Sequence, residues 1–338
     1  MTLDPADSHF TVVCLEGDGI GPEVMREAIR ALRALPLRIE IEEMSFGGRG
    51  IRECGDPLPA ATLTACLGAD GVLLAAVGSP EYERAAVRPE QGLLRIRSGL
   101  GVFANLRPVR SDGVDVMIVR ELSGGLYYGR KGRLSDGMAF DVCEYHPWQI
   151  ERIARRAFEL ARGRRQAVTL VDKYGVLETS ALWREVVDEV ATGYPDVQLD
   201  AMLVDNAAMQ LVRDPGRFDV LLTENTFGDI LSDVAAVATG GVGLAPSASL
   251  SDDGPGIFEP IHGSAPDIAG RGIANPAAML RSAALMLAYG LGRPNEARLL
   301  DHAVDEAIRL TPTVDLGGTA TTGEFGDAVV ALLTAPGS

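Results

Sequence analysis

The chain has 338 residues, 46% hydrophobic and 23% charged, which is globular composition with enough apolar residues for a sizeable core. Acidic residues number 47 against 31 basic ones, and the resulting net charge of -16 repels phosphate backbones and anionic headgroups, which argues against nucleic-acid or membrane binding. A polar start, Met1–Asp7, and the lack of any apolar run of about 18 residues point away from export and membrane insertion, toward a cytoplasmic protein.

Thr11–Leu15 reads as a buried strand, and Gly17–Gly21 as a loop without the GxGxxG register of a dinucleotide fold. Pro22 then opens a helix predicted to run to Leu35. Gly71–Val77 is a second apolar strand; Val114–Val119, Ala167–Val171, Val197–Val204 and Val220–Thr223 repeat the pattern. Helices are expected at Pro147–Arg164, Ser180–Tyr194, Asn206–Asp214 and Asn275–Leu291. Strands alternating with helices predict an α/β fold with a mostly parallel sheet flanked by helices. Tyr127–Glu144 breaks the rhythm: Gly-rich and polar, it reads as a surface loop or as an arm reaching a second subunit. Cys14, Cys54, Cys66 and Cys143 are widely spaced and read as buried free thiols in a reducing compartment.

Several polar residues sit where these elements end. Arg97, Arg107 and Arg120 offer guanidinium forks of the kind that bind a dicarboxylate; scattered surface salt bridges are the alternative. Tyr127 follows Gly124-Gly125-Leu126 and is a candidate proton donor or a core tyrosine. Of two lysines set against 29 arginines, Lys173 ends a strand; an ammonium can lose its proton where a guanidinium cannot, so Lys173 is a candidate general base. Asp205 follows another strand. Asp229 and Asp233 are four apart, which on a helix places both on one face; they suit Mg²⁺ or Mn²⁺, or else a helix cap plus a solvated acid. In Glu259–Gly270, His262 can stack on or hydrogen-bond an adenosine, Gly263 admits close backbone approach, and Asp267 can accept from ribose hydroxyls. A carboxylate there repels a 2′-phosphate and favours NAD over NADP.

Taken in order, GDGIGPEV, GDPLP, RPEQGLLRIR, FANLRPV, VRELSGG, VDNAAMQLVR, ENTFGDILSD and EPIHGSAPDIAGRGIANP resemble the 3-isopropylmalate dehydrogenases, within the wider family of isocitrate-type decarboxylating dehydrogenases. That resemblance implies a two-domain α/β fold without a Rossmann fingerprint. One domain, 1–103 with 240–338, would bind the cofactor; the other, 104–239, would carry the dimer interface, the substrate and metal residues and the arm near 127–144. It implies a homodimer with a shared active site, Lys173 and Asp205 coming from the second subunit. Asp229, Asp233 and that subunit's Asp205 would hold Mg²⁺ or Mn²⁺. Arg97, Arg107 and Arg120 would hold the malate carboxylates, Lys173 would act as base and Tyr127 as acid, and Glu90, Leu93 and Leu94 match the loop that reads the substrate's side group. His262, Gly263, Ser264, Ala265, Asp267 and Asn275 would bind NAD.

The implied reaction is oxidative decarboxylation of 3-isopropylmalate or a closely related 3-substituted malate. Tartrate, D-malate or homoisocitrate as substrate, or a catalytically impaired regulatory-type homologue, are the alternatives. The sequence departs from the family's pattern at Tyr174-Gly175, where an alanine and an asparagine are usual, and at Arg130-Lys131, Glu16 and Ser79.

Overall fold

The computed structural model describes residues 9–111, 113–237 and 240–335; the reading of Met1–Asp7 as a polar start lies outside the described residues. The chain divides into two compact units, Met1–Val102 with Val242–Ser338, and Phe103–Gly241.

The first unit begins with β1 (His9–Gly17), α1 (Gly21–Ala34), β2 (Arg38–Glu43), α2 (Gly48–Cys54), α3 (Ala60–Gly68), β3 (Gly71–Ala76) and α4 (Pro89–Gly99). Val12–Leu15 of β1 and the whole of β3 are buried, because parallel strands covered on both faces have no polar side to show. Pro22 stands in the first turn of α1, whose Val24, Met25, Ala28, Ile29 and Leu32 turn inward and pack on β1 and β3. The segment Glu90–Leu94, expected as a loop, is helical: Pro89 opens α4 and Gln91 closes a capping box with Arg88, so Glu90, Leu93, Leu94 and Arg97 lie on one helix. Cys54 is exposed, contrary to the reading of four buried thiols, since it ends a short helix at Gly55; all four cysteines are free, and Cys14 and Cys66 are buried.

The second unit comprises β4 (Ala104–Ser111), β5 (Val114–Glu121), β6 (Lys131–Arg133), β7 (Ala139–Asp141), α5 (Pro147–Arg162), β8 (Ala167–Asp172), α6 (Glu178–Ala191), β9 (Gln198–Leu203), α7 (Val204–Arg213), β10 (Val220–Thr223) and α8 (Asn225–Ala236). Its strands run in the order β4-β5-β10-β8-β9, antiparallel for the first pair and parallel for the rest. Val204 opens α7 instead of closing the preceding strand. Leu211 of α7 and Leu231 and Ala235 of α8 bury against Val116 and Ile118 of β5 and Leu221 of β10. Within Tyr127–Glu144, read as a surface loop or an arm, β6 and β7 pair as a small antiparallel hairpin.

The chain then returns to the first unit with β11 (Pro246–Leu250), β12 (Gly256–Pro260), α9 (Ala277–Leu285), α10 (Pro294–Leu310) and α11 (Thr322–Thr334). There the order is β2-β1-β3-β12-β11, parallel except for β11 with β12. The helix expected to reach Leu291 gives way after Leu285 to a π-helical turn, Met286–Gly290. The architecture is therefore the mixed α/β fold with mainly parallel strands that the sequence predicts. Among the described residues no helix is long and apolar enough to cross a membrane.

Candidate active site

In the second unit, α8 begins where β10 ends, and Glu224 caps it by accepting a hydrogen bond from the Phe227 amide at 2.6 Å. Gly228, Leu231, Ser232 and Ala235 face inward, while Asp229 and Asp233 lie one position further round, at the border of that face. Arg120, on β5, crosses beneath this helix. A Cβ at Gly228 would come within 2.6 Å of Arg120 Cγ, so glycine is what lets the aliphatic stem of Arg120 pass.

Three donors meet at Asp229. Arg120 Nη1 donates to Oδ1, Arg107 Nη2 donates to the same oxygen at 3.2 Å, and the Tyr127 hydroxyl donates to Oδ2 at 2.9 Å. The arginines are themselves fixed by short polar side chains. Asn225 Oδ1 accepts from Arg120 Nε at 3.0 Å and Nη2 at 2.7 Å; Arg107 donates to Asn105 Oδ1 at 2.7 Å and to Ser232 Oγ at 2.5 Å. Asp233 Oδ1 lies 3.8 Å from Arg107 Nη1. Arg120 is 1% exposed and Arg107 8%, whereas the Asp229 and Asp233 side chains keep 37% and 62% of their surface open. Burial, and then the Asp229 carboxylate, push the Tyr127 phenol above its ordinary pKa, so it stays protonated at neutral pH.

Lys173 and Asp205 form a pair of their own, Nζ donating to Oδ1, and that hydrogen bond holds the Asp205 carboxyl below the usual range. The loop after Lys173 is tied down by Asp172, which accepts from the Tyr174 amide at 3.0 Å and from Arg184 Nε at 2.6 Å; the Arg184 guanidinium lies 4.3 Å from the Tyr174 ring centre. Gly175 has φ +84° and open space where a side chain would stand. Among the described residues no three His, Cys, Asp or Glu side chains gather closely enough to hold a metal ion, so Asp205 does not join Asp229 and Asp233 within one copy of the chain.

In the first unit, Arg97 of α4 donates to Glu259 Oε1 of β12 at 2.6 Å, both side chains being nearly buried. β12 leads into the segment 261–276. His262 Nδ1 lies 2.9 Å from the Gly263 carbonyl, while Nε2 is buried without a hydrogen-bond partner among the described residues; burial holds the imidazole pKa below its ordinary value. Gly263 and Asp267 are exposed, and a side chain at Gly263 would meet nothing. An orphaned ring nitrogen, an open backbone and a solvent-facing carboxylate together fit a nucleotide. Asn275 makes two hydrogen bonds of its own: its amide donates to Asp315 at 3.0 Å and its oxygen accepts from the Ala277 amide at 3.0 Å, in the turn that leads into α9.

The second unit thus gathers Arg107, Arg120, Tyr127, Asp229 and Asp233, and pairs Lys173 with Asp205. The first unit carries Glu90, Leu93, Leu94 and Arg97 on one helix and His262, Gly263, Ser264, Ala265 and Asp267 on one loop. Sequence reasoning missed Asn105, Asn225, Ser232 and Glu224, which aim the charged groups. The signal available for them was weak: uncharged polar residues beside arginine and aspartate read as caps or turns.

Comparison with known proteins follows the same lines. The sequence pattern of a family described as isocitrate/isopropylmalate dehydrogenase matches residues 11–329. A 3-isopropylmalate dehydrogenase of Bacillus cereus is 49% identical over 94% of this chain and 95% of its own length, and one of Streptococcus mutans is 49% identical over 95% and 99%. Among solved structures, an isocitrate dehydrogenase from Methylococcus capsulatus superposes with a TM-score of 0.90 at 35% identity, over 97% of this chain and 100% of that one. A beta-decarboxylating dehydrogenase from Thermococcus kodakarensis gives 0.84 at 38% identity, over 96% of each chain.

Proposed function

The chain belongs to the isocitrate/isopropylmalate dehydrogenase family and is a decarboxylating dehydrogenase, and we propose that it oxidises and decarboxylates 3-isopropylmalate, or a closely related 3-substituted malate, with NAD⁺ and Mg²⁺ or Mn²⁺. The observation that carries this reading is the clamp of two buried guanidiniums and a phenol on Asp229, with Asp233 one turn on. Two part-exposed carboxylates on one helical border form a hard oxygen donor set, as Mg²⁺ or Mn²⁺ requires. When bound, the metal supplies Lewis acidity at the substrate's hydroxyl and keto oxygen. NAD⁺, when bound, supplies the hydride acceptor.

The chain's own groups do the rest. Arg107 and Arg120 hold the substrate's carboxylates beside Asp229. Lys173 takes the hydroxyl proton, and Tyr127, kept protonated by burial and by Asp229, returns one to the carbon that has lost CO₂. Leu93 and Leu94, half-buried on α4, favour an alkyl substituent; the extra carboxylate of isocitrate would be desolvated there without a partner. The likeness to an isocitrate dehydrogenase therefore supports the fold and the reaction class more than the substrate.

The division of labour between the units follows from the same reading. The first, with His262–Asp267, binds cofactor; the second binds metal and supplies a dimer surface. α7 and α8 pack together and leave Met209, Val212 and Ile230 exposed, as is Val237 just past α8, with Leu134, Met138 and Phe140 exposed on the hairpin. Apolar side chains so grouped suit a second copy of the chain, which would contribute Lys173 and Asp205 to the first copy's site. The reading places the protein in the cytoplasm, in leucine biosynthesis.

NADH formation with 3-isopropylmalate, isocitrate, D-malate and tartrate, each with Mn²⁺ and with chelator, tests this. Turnover should be fastest on 3-isopropylmalate and vanish with chelator, and Asp229→Asn should lower it about a thousandfold or more. Preference for isocitrate, or full activity in chelator, would overturn the reading.

A further inference from the structure

Asp18 takes no part in the chemistry above, yet it is an acid only 5% exposed. Its oxygens accept from two backbone amides on different segments, Gly48 at 2.8 Å and Gly78 at 3.0 Å, and its own amide donates to the Ala76 carbonyl at 3.0 Å. A buried carboxylate is costly unless hydrogen-bonded, and here each oxygen anchors a separate stretch of chain to the end of β1.

The next two residues reach the cofactor loop. The Ile20 amide donates to the Ser264 carbonyl at 2.9 Å. Gly19, at φ +59°, presses against the same carbonyl so closely that a Cβ would stand 1.9 Å from its oxygen. Ser264 lies between the open Gly263 and Ala265, a non-glycine residue at φ +38°, a backbone conformation that persists only where neighbours hold it. The other anchor meets the same place: a Cβ on Gly78 would lie 3.2 Å from Glu90 Oε1 and 3.8 Å from Ser264 Oγ.

We propose that Asp18 is a positioning residue for the cofactor: by fixing the Gly17–Gly21 turn to Gly48 and Gly78, it sets Ser264, and through it the conformation of Gly263–Ala265 that receives the nucleotide. This rests on the reading of His262–Asp267 as the NAD segment. Asp18→Asn keeps the size but turns one oxygen into an amide that faces another donor. Its effect should be selective. The Kd and KM for NAD⁺ should rise about tenfold, while kcat at saturating NAD⁺ and the KM for 3-isopropylmalate stay within about twofold.

Ile20→Pro is the second variant. The proline ring suits the Ile20 φ of -74° and removes the N–H that Ser264 accepts, so the same selective loss is expected if Asp18→Asn does not fold. His262→Ala reports on the underlying reading, by NAD⁺ titration of each variant. Unchanged NAD⁺ affinity in His262→Ala would overturn the loop assignment itself. Weakened binding in His262→Ala beside unchanged binding in Asp18→Asn and Ile20→Pro would overturn the role of Asp18 alone.

Discussion

Arg120 is a cation almost wholly withdrawn from water, and every group around it is there to make that tolerable. Asn225 accepts from two of its nitrogens and Asp229 from a third, and its guanidinium lies 5.6 Å from the Tyr127 ring centre. A lysine in its place would bring the charge without the planar fork. Arg120→Lys should therefore lower kcat/KM about a hundredfold, a loss of roughly 2–3 kcal/mol, with both kcat and the KM for substrate affected. Initial rates check this; a change under threefold would mean that charge alone suffices. Arg120 itself was legible in the sequence as a charge at a strand end, and Asp229 with Asp233 as a helical pair. Their bonding was not. Asn105, Asn225 and Ser232 carry no charge; Asn105 stands two residues from Arg107 on β4, but only the fold brings Asn225 and Ser232 to the guanidiniums from distant positions.

The element that matters most is α8, because its first turns deliver the carboxylates. Its cap is an acid in an apolar setting: burial pushes Glu224 above the usual carboxylate range, and the amides of Phe227 and Thr226 pull it back. Glu224→Ala should cost about 1 kcal/mol through the lost cap, lowering Tm by roughly 2–4 °C. It should also weaken Mn²⁺ binding, because the turn before Asp229 frays. Glu224→Gln, which keeps an acceptor and sheds the buried charge, should retain more stability than Glu224→Ala; calorimetry with and without Mn²⁺ separates the two effects. At this scale the sequence showed the buried parallel strands well, since β1, β3, β5, β8 and β10 are apolar runs. It hid β11, Pro246–Leu250, whose proline, serines and alanine have little strand preference and are held extended by pairing with β12. It hid α4 for the opposite reason: glycine and arginines interrupt its apolar period, and its start depends on a cap.

At the scale of the molecule, a site drawn from two copies has a direct test. Lys173→Ala and Asp229→Asn should each disable the enzyme, whereas a mixed dimer of the two would pair an intact Asp229 with an intact Lys173 once. Random exchange should restore about one quarter of wild-type activity if Lys173 is supplied in trans, and none if both residues serve one copy's site. Nothing in the periodicity of the sequence marks the two units, because no linker or low-complexity stretch lies at their borders; the division came from motif order alone. That division also bears on how the protein is made. The second unit is continuous, whereas β3 of the first pairs with β12, Gly71 against Gly256, across the whole of it. A growing chain on the ribosome thus holds the later-begun unit complete while the earlier one still lacks two strands and three helices. Condensing the inserted unit first turns a long flexible loop into a compact tether and lowers the entropy cost of closing the sheet around it.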